Sequence, residues 1–141
     1  MTEIIIRGYH LDGYQHVNNA RYLEFLEEAR WACMSDELDY FTEHKLAWIV
    51  ANININFRSP ALLGQHIVID TTVSKIGNKS GIVTQVIRCK ESKNIVADAE
   101  VTFVIFDTKT NKVLPIVDEI LTKLVTCQQK LALEQKIESV N

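Results

Sequence analysis

The sequence has little with which to break itself up. Among 141 residues only two are proline and five glycine, too few for a collagenous, linker-rich or low-complexity chain. The glycines (Gly8, Gly13, Gly64, Gly77 and Gly81) are scattered, and none belongs to a loop of the kind that cradles a nucleotide phosphate. Cys33, Cys89 and Cys127 are odd in number and far apart. They build neither a zinc spacing nor a disulfide framework, so reduced thiols, no metal and no cofactor are expected. No apolar run approaches the roughly 18–20 residues of a membrane span. The start, Met1-Thr-Glu-Ile-Ile-Ile-Arg7, has no charged leader before an apolar core, so no secretory signal is expected. Basic residues are not in excess either. Fifteen Lys and Arg against 18 Asp and Glu give a net charge of −3, which offers no field to attract nucleic acid. A local basic pocket for a phosphorylated ligand remains compatible with that balance. What is left is a cytoplasmic protein folded as one domain over 1–141, long enough to bury a sizeable core.

What is present is hydrophobic periodicity, in two forms. Residues 3–10 read as a first strand, with Ile4, Ile5 and Ile6 β-branched and Gly8 marking a bulge or a close approach. Residues 11–17 carry no period and form a turn. A helix starts near Asn18 or Asn19, both good N-cap types. From there Tyr22, Phe25, Leu26, Ala29 and Cys33 make one apolar stripe, with Glu24, Glu27 and Glu28 on a solvated side. Residues 35–45 read as a loop with a short helical turn.

From Leu46 the period becomes two. Ile49, Ala51, Ile53, Ile55 and Phe57 fall on one side, expected to be strongly buried, with Asn52, Asn54 and Asn56 on the other. Further strands are expected over 66–76, 80–90 and 95–107, joined by the short polar turns 77–80 and 91–94 as antiparallel hairpins. The segment 116–138 reads as a C-terminal helix after Pro115. Parallel strands need a crossover between each pair, which this order lacks. The pattern therefore predicts an α+β domain, five antiparallel strands wrapped around one central helix, plus the C-terminal helix. The asparagine row suggests a wet, ligand-facing or subunit-facing side.

One stretch gathers the chemistry. Asp12, His16, Asn18 and Asn19 fall at the strand-to-helix junction, where unpaired N–H groups can meet a developing anion. Taken alone, Asp12 is as ordinary as any turn former.

The motif Asp12-x-x-x-His16-Val-Asn-Asn-Ala-Arg-Tyr22, with Glu27-Glu-Ala-Arg30, resembles the hotdog-fold acyl-CoA thioesterases of the 4-hydroxybenzoyl-CoA thioesterase-like group. Asn54-x-Asn-Phe-Arg-Ser-Pro-Ala61 followed by Gly64, and Val96-Ala-Asp-Ala99, agree with it. The resemblance covers residues 3 to about 125, and the wording is nearest to the bacterial long-chain members. It implies a hotdog fold, hydrolysis of fatty acyl-CoA without a cofactor, and a homodimer or homotetramer whose subunits share the site. It also implies Asp12 as general base or as nucleophile, and the Asn19 backbone N–H as oxyanion donor. His16 would be a catalytic partner or a structural support, and Asn18 a cap beside the substrate. Coenzyme A phosphates would call for cations, for which Arg58 and the pair Lys79 and Ser80 are the candidates. An acyl-carrier-protein thioesterase and a non-catalytic acyl-CoA-binding protein are the competing readings. Two departures stand out. Relatives often carry a second acid two positions before the aspartate, where this chain has His10, and a glycine just before the histidine, where it has Gln15.

Overall fold

The computed structural model describes residues 1–140. In chain order these form β1 (Thr2–Ile5), a 3-10 turn (Gly8–His10), α1 (Asn19–Met34), α2 (Leu38–Glu43), β2 (Leu46–Phe57), β3 (His66–Ile76), β4 (Gly81–Cys89), β5 (Ile95–Asp107), β6 (Lys112–Leu114) and α3 (Asp118–Val140). The stripe predicted for α1 is the buried one: Tyr22, Phe25, Leu26 and Ala29 are in the core, and Cys33 is half-buried. Strand β4 alternates strictly, with Gly81, Val83, Gln85, Ile87 and Cys89 turned inward. In β5, Ala97, Ala99, Val101, Phe103 and Ile105 do the same. These faces meet α1 and, from the C-terminal helix, Leu124, Cys127 and Leu131 in one apolar cluster. Gly81 has a steric reason: a Cβ there would collide with the Phe103 ring and lie 2.8 Å from the Lys75 carbonyl oxygen.

The α+β architecture is as expected, but three details differ. The sheet has six strands rather than five, ordered β1-β3-β4-β5-β2, with β6 also paired to β5. The predicted hairpins join β3 to β4 and β4 to β5, whereas β2 crosses to the far edge and pairs antiparallel with β5. The connection between β2 and β3 contains Pro60 and turns at Gly64, whose φ is 81°, so it is no tight hairpin. As an edge strand β2 has no strongly buried face. Ile53 and Ile55 are only half-buried, and Ile49, Ala51 and Phe57 are exposed. A register shift between Val50 and Asn52 also takes Ala51 out of the alternation. Finally, β1 ends at Ile5, and Gly8 opens the 3-10 turn, with open space where a Cβ would sit.

No helix among the described residues is long and apolar enough to cross a membrane.

Candidate active site

The junction is a small closed loop. A bridge between Leu11 and Val17 shuts it, and inside it the Asp12 N–H donates to the His16 carbonyl at 2.8 Å. Asp12 Oδ1 accepts the backbone N–H groups of Tyr14 at 2.8 Å and His16 at 3.3 Å. One carboxylate oxygen is thus anchored by main chain, while Oδ2 has no hydrogen-bond partner among the described residues. Asp12 itself is half-buried. Gln15 sits at φ 63°, in the left-handed region that glycine occupies without penalty. That accounts for the glycine of relatives at this position: the loop needs the conformation, and Gln15 adopts it despite its Cβ.

Helix α1 then begins with both of its first bonds arranged. Asn18 is the N-cap, its side-chain oxygen accepting the Ala20 N–H at 3.0 Å, and its carbonyl accepts the Arg21 N–H at 2.8 Å. Neither takes the N–H of Asn19, which is the first residue of the helix and therefore lacks an intrahelical partner. The cap also joins the preceding turn, because the Asn18 N–H donates to the His10 carbonyl at 2.9 Å.

His10, in the place of a second acid, supports this turn from below. It is buried, its Nδ1 accepts the Arg7 N–H at 2.8 Å, and its ring meets Phe25 edge-on at 5.0 Å. Burial first, then the charges of Arg21 and Arg7, hold its pKa below the ordinary 6.5, with Glu24 opposing. A histidine kept neutral in the fold stabilises it fully above that ordinary value. Stability then falls as pH drops below 6.5 toward the lowered value, because the unfolded chain takes up the proton first. We expect the urea midpoint to fall between about pH 7.5 and pH 5.5, and a His10→Asn variant to show a smaller fall. Equal slopes in the two proteins would refute this account of His10.

Tyr22, one turn into α1, ties the loop to the sheet connection. Its hydroxyl oxygen accepts the Ala61 N–H at 3.1 Å, and its ring lies 5.8 Å from that of Phe57. The Tyr22 pKa is raised, chiefly by burial and further by the negative charge of Asp12, against the Ala61 hydrogen bond. The carboxylate therefore lies within electrostatic reach of the first turn of α1. Below this point a groove of about 660 Å³ runs along α1 past Leu23, Glu27, Arg30 and Met34. Trp48 and Ile53 of β2 form its other side, and Leu38 and Phe41 of α2 line its far end. Trp31 is an exposed lining residue, Trp48 lines the groove while its ring packs 4.5 Å from that of core Phe103, and Glu24 and Glu27 belong to the groove rather than to a solvated face alone.

The other candidates separate. The His16 ring is exposed and makes no hydrogen bond among the described residues; its backbone, not its imidazole, holds Asp12. Arg58 is at this end of the sheet but is committed to Asp98, Nε to Oδ2 at 2.7 Å and Nη2 to Oδ1 at 3.3 Å, with Asn56 reaching the same carboxylate at 3.0 Å. Lys79 and Ser80 do not join the junction within one chain. They form the hairpin tip beyond Ile76, whereas the Asp12 loop lies at the His66 end, roughly 30 Å away along β3. The spacing of motifs in sequence carries no such distance. The support given by His10, Tyr22 and Ala61 was absent from the sequence reading. Only the departure at His10 could have signalled it.

A family model described as the thioesterase-like superfamily matches residues 7–124. The chain belongs to that superfamily. Among curated relatives of this thioesterase, the long-chain acyl-CoA thioesterase FadM of Escherichia coli K12 is 51% identical over 125 residues, covering 87% of this chain and 95% of that one. Among solved structures, YbaW, a probable thioesterase from Escherichia coli, superposes with a TM-score of 0.86 at 49% identity, covering 90% and 97% of the two chains. The Synechocystis 1,4-dihydroxy-2-naphthoyl-CoA thioesterase Slr0204 gives 0.76 at 20% identity over 88% and 93%, a likeness of fold. The hotdog architecture expected from the motifs is the architecture of this thioesterase.

Proposed function

We propose that this thioesterase hydrolyses long-chain fatty acyl-CoA to the free acid and coenzyme A. The observation that carries the reading is the Asp12 carboxylate, fixed through Oδ1, beside a capped helix; among the described residues neither Oδ2 nor the helix's first N–H has a hydrogen-bond partner. In the general-base route, Oδ2 takes a proton from a water that attacks the thioester carbonyl. The tetrahedral oxyanion forms against the Asn19 N–H and the positive end of α1. The C–S bond then breaks, and the coenzyme A sulfur leaves with the proton held by Asp12. In the nucleophilic route Oδ2 attacks the carbonyl itself, the C–S bond breaks to release coenzyme A thiolate, which takes a proton from solvent, and water hydrolyses the mixed anhydride to restore Asp12 and free the acid. The acyl chain lies in the groove along α1. The identity with FadM supports a long chain, as does the groove's volume of about 660 Å³.

The functional unit of this proposal is a homodimer, or a tetramer built from it. One edge of β2 is unpaired over 12 residues, with Ile49, Val50 and Phe57 exposed beside the asparagine row, an edge that natural proteins seldom leave uncovered. Antiparallel pairing of two β2 strands would turn the partner subunit's far hairpin toward this chain's Asp12 end. That is how Lys79 and Ser80 could serve coenzyme A across the interface. Three unpaired thiols suit a cytoplasmic setting.

The test is release of free thiol from acyl-CoA esters of graded chain length, with the oligomeric state read by sedimentation at the assay concentration. Turnover rising with chain length is expected. No release from any ester would turn the reading toward an acyl-binding protein, activity confined to carrier-protein esters would move it to that substrate, and an active monomer would remove the shared site.

A further inference from the structure

The groove along α1 contains one group that an alkyl chain does not call for. Arg30 lines it among Leu23, Trp31, Met34 and Trp48, and its guanidinium is half-buried. Its one hydrogen bond among the described residues runs from Nη1 to the side-chain oxygen of Gln85, at 3.0 Å. No carboxylate is within salt-bridge distance of it among those residues, although Glu27, one turn back, favours its charge. Gln85 is fully buried and fixed in turn, its Nε2 donating to the Leu26 carbonyl at 3.1 Å and to Thr71 Oγ1 at 3.0 Å. The guanidinium is thus held by a buried amide at one N–H, and no other hydrogen bond among the described residues engages the rest of it where Arg30 lines the groove.

A saturated chain lying over this group would strip its water and return no partner, which is costly for a charged donor. A chain bearing a hydroxyl at that depth would accept from Arg30, and the same hydroxyl could donate to Glu27 at the groove wall. A carboxylate would meet Glu24 and Glu27 as like charges. The depth can be measured along the helix. Gln85 touches Leu26 and Arg30, 7 and 11 residues beyond Asn19, so the guanidinium lies roughly 10–16 Å from the helix start. An extended alkyl chain zigzags, so bonds of about 1.5 Å advance it by only about 1.25 Å per carbon, and that depth is roughly eight to thirteen carbons.

We propose that Arg30 is a specificity-determining residue that selects acyl chains carrying a hydroxyl roughly eight to thirteen carbons from the thioester. This rests on the groove being the acyl site of the proposed thioesterase.

The experiment compares kcat/KM for dodecanoyl-CoA and ω-hydroxydodecanoyl-CoA in the wild type, Arg30→Met and Arg30→Lys. A shorter pair, hexanoyl-CoA and ω-hydroxyhexanoyl-CoA, whose hydroxyl stops short of Arg30, checks the depth with an expected ratio that does not depend on residue 30. The quantity read is the hydroxy-to-plain ratio, which a loss of folded enzyme does not alter. The wild-type ratio should exceed one and fall roughly tenfold in Arg30→Met, as expected for a hydrogen bond to a charged donor, with Arg30→Lys between them. A wild-type ratio below one, or equal ratios in wild type and Arg30→Met, overturns the inference while leaving the thioesterase reading intact. If neither ester is cleaved, the thioesterase reading fails instead, and the same ratio taken from calorimetric affinities decides the role of Arg30.

Discussion

Asparagine in place of Asp12 is expected to lower kcat by roughly 10²–10⁴-fold while leaving the fold in place. The substitution keeps Oδ1, and with it the bonds from the Tyr14 and His16 N–H groups that shape the loop. It replaces Oδ2 with an amide nitrogen that can neither take a proton from water nor attack a carbonyl. KM should change little, because the acyl chain and coenzyme A meet other surfaces. Full activity in Asp12→Asn, with an unchanged unfolding midpoint, would remove Asp12 from the chemistry. The two routes are separable in further measurements. Label found in the Asp12 carboxylate after a single turnover in ¹⁸O-water marks the nucleophilic route with water opening the anhydride at the Asp12 carbon, and trapping of an acylated Asp12 by hydroxylamine detects that route where water attacks the acyl carbon instead. Asn18→Ala would be the control for loop geometry, since it removes the cap on Ala20 without touching the carboxylate. A cap is worth about 1 kcal/mol.

How much of this could be read in advance follows from what periodicity reports. A period of 3.6 or of two says which side of an element is apolar, and for α1, β4 and β5 those sides do meet in one core. For β2 the alternation misleads. The alternation of Ile49, Ile53, Ile55 and Phe57 indicated a buried face, but the partner is β5, some forty residues on, and the other edge is bare in one chain. The same limit separates the site residues. The side-chain bonds of Asp12 and of the Asn18 cap are local, spanning two to four residues, so the motif could indicate them. The pairing of Arg58 with Asp98, across two strands, and the distance of Lys79 from the loop depend on register, which the motif does not contain. Gln15 resisted explanation from sequence because its meaning is a backbone angle. Gln85 passed unnoticed for the opposite reason. One polar side chain at an inward position of β4 breaks an otherwise apolar row, and only the structure shows that all its polar atoms are matched.

That row supplies the prediction with the largest effect on stability. Leucine in place of Gln85 conserves volume and adds apolar surface, so on packing alone it should be nearly neutral. We expect a loss of about 2–4 kcal/mol, because Arg30 would then carry a half-buried charge without the one acceptor it has among the described residues. The other two partners suffer less. The Leu26 carbonyl is in mid-helix and keeps the backbone donor of the following turn, and Thr71 retains Cys33 as a neighbour. The cost should therefore belong to Arg30 and vanish in large part when Arg30 is also made apolar. In a double-mutant cycle, Gln85→Leu with Arg30→Met should be less destabilised than the sum of the single variants by more than about 1 kcal/mol. The melting temperature of Gln85→Leu alone should fall by roughly ten degrees. Additive losses would mean that Gln85 acts by pinning α1 through Leu26, and a change within about 0.5 kcal/mol would mean that water replaces it without cost. The coupled outcome would show that the sheet keeps a polar residue in its most buried row in order to hold a charge beside the groove along α1.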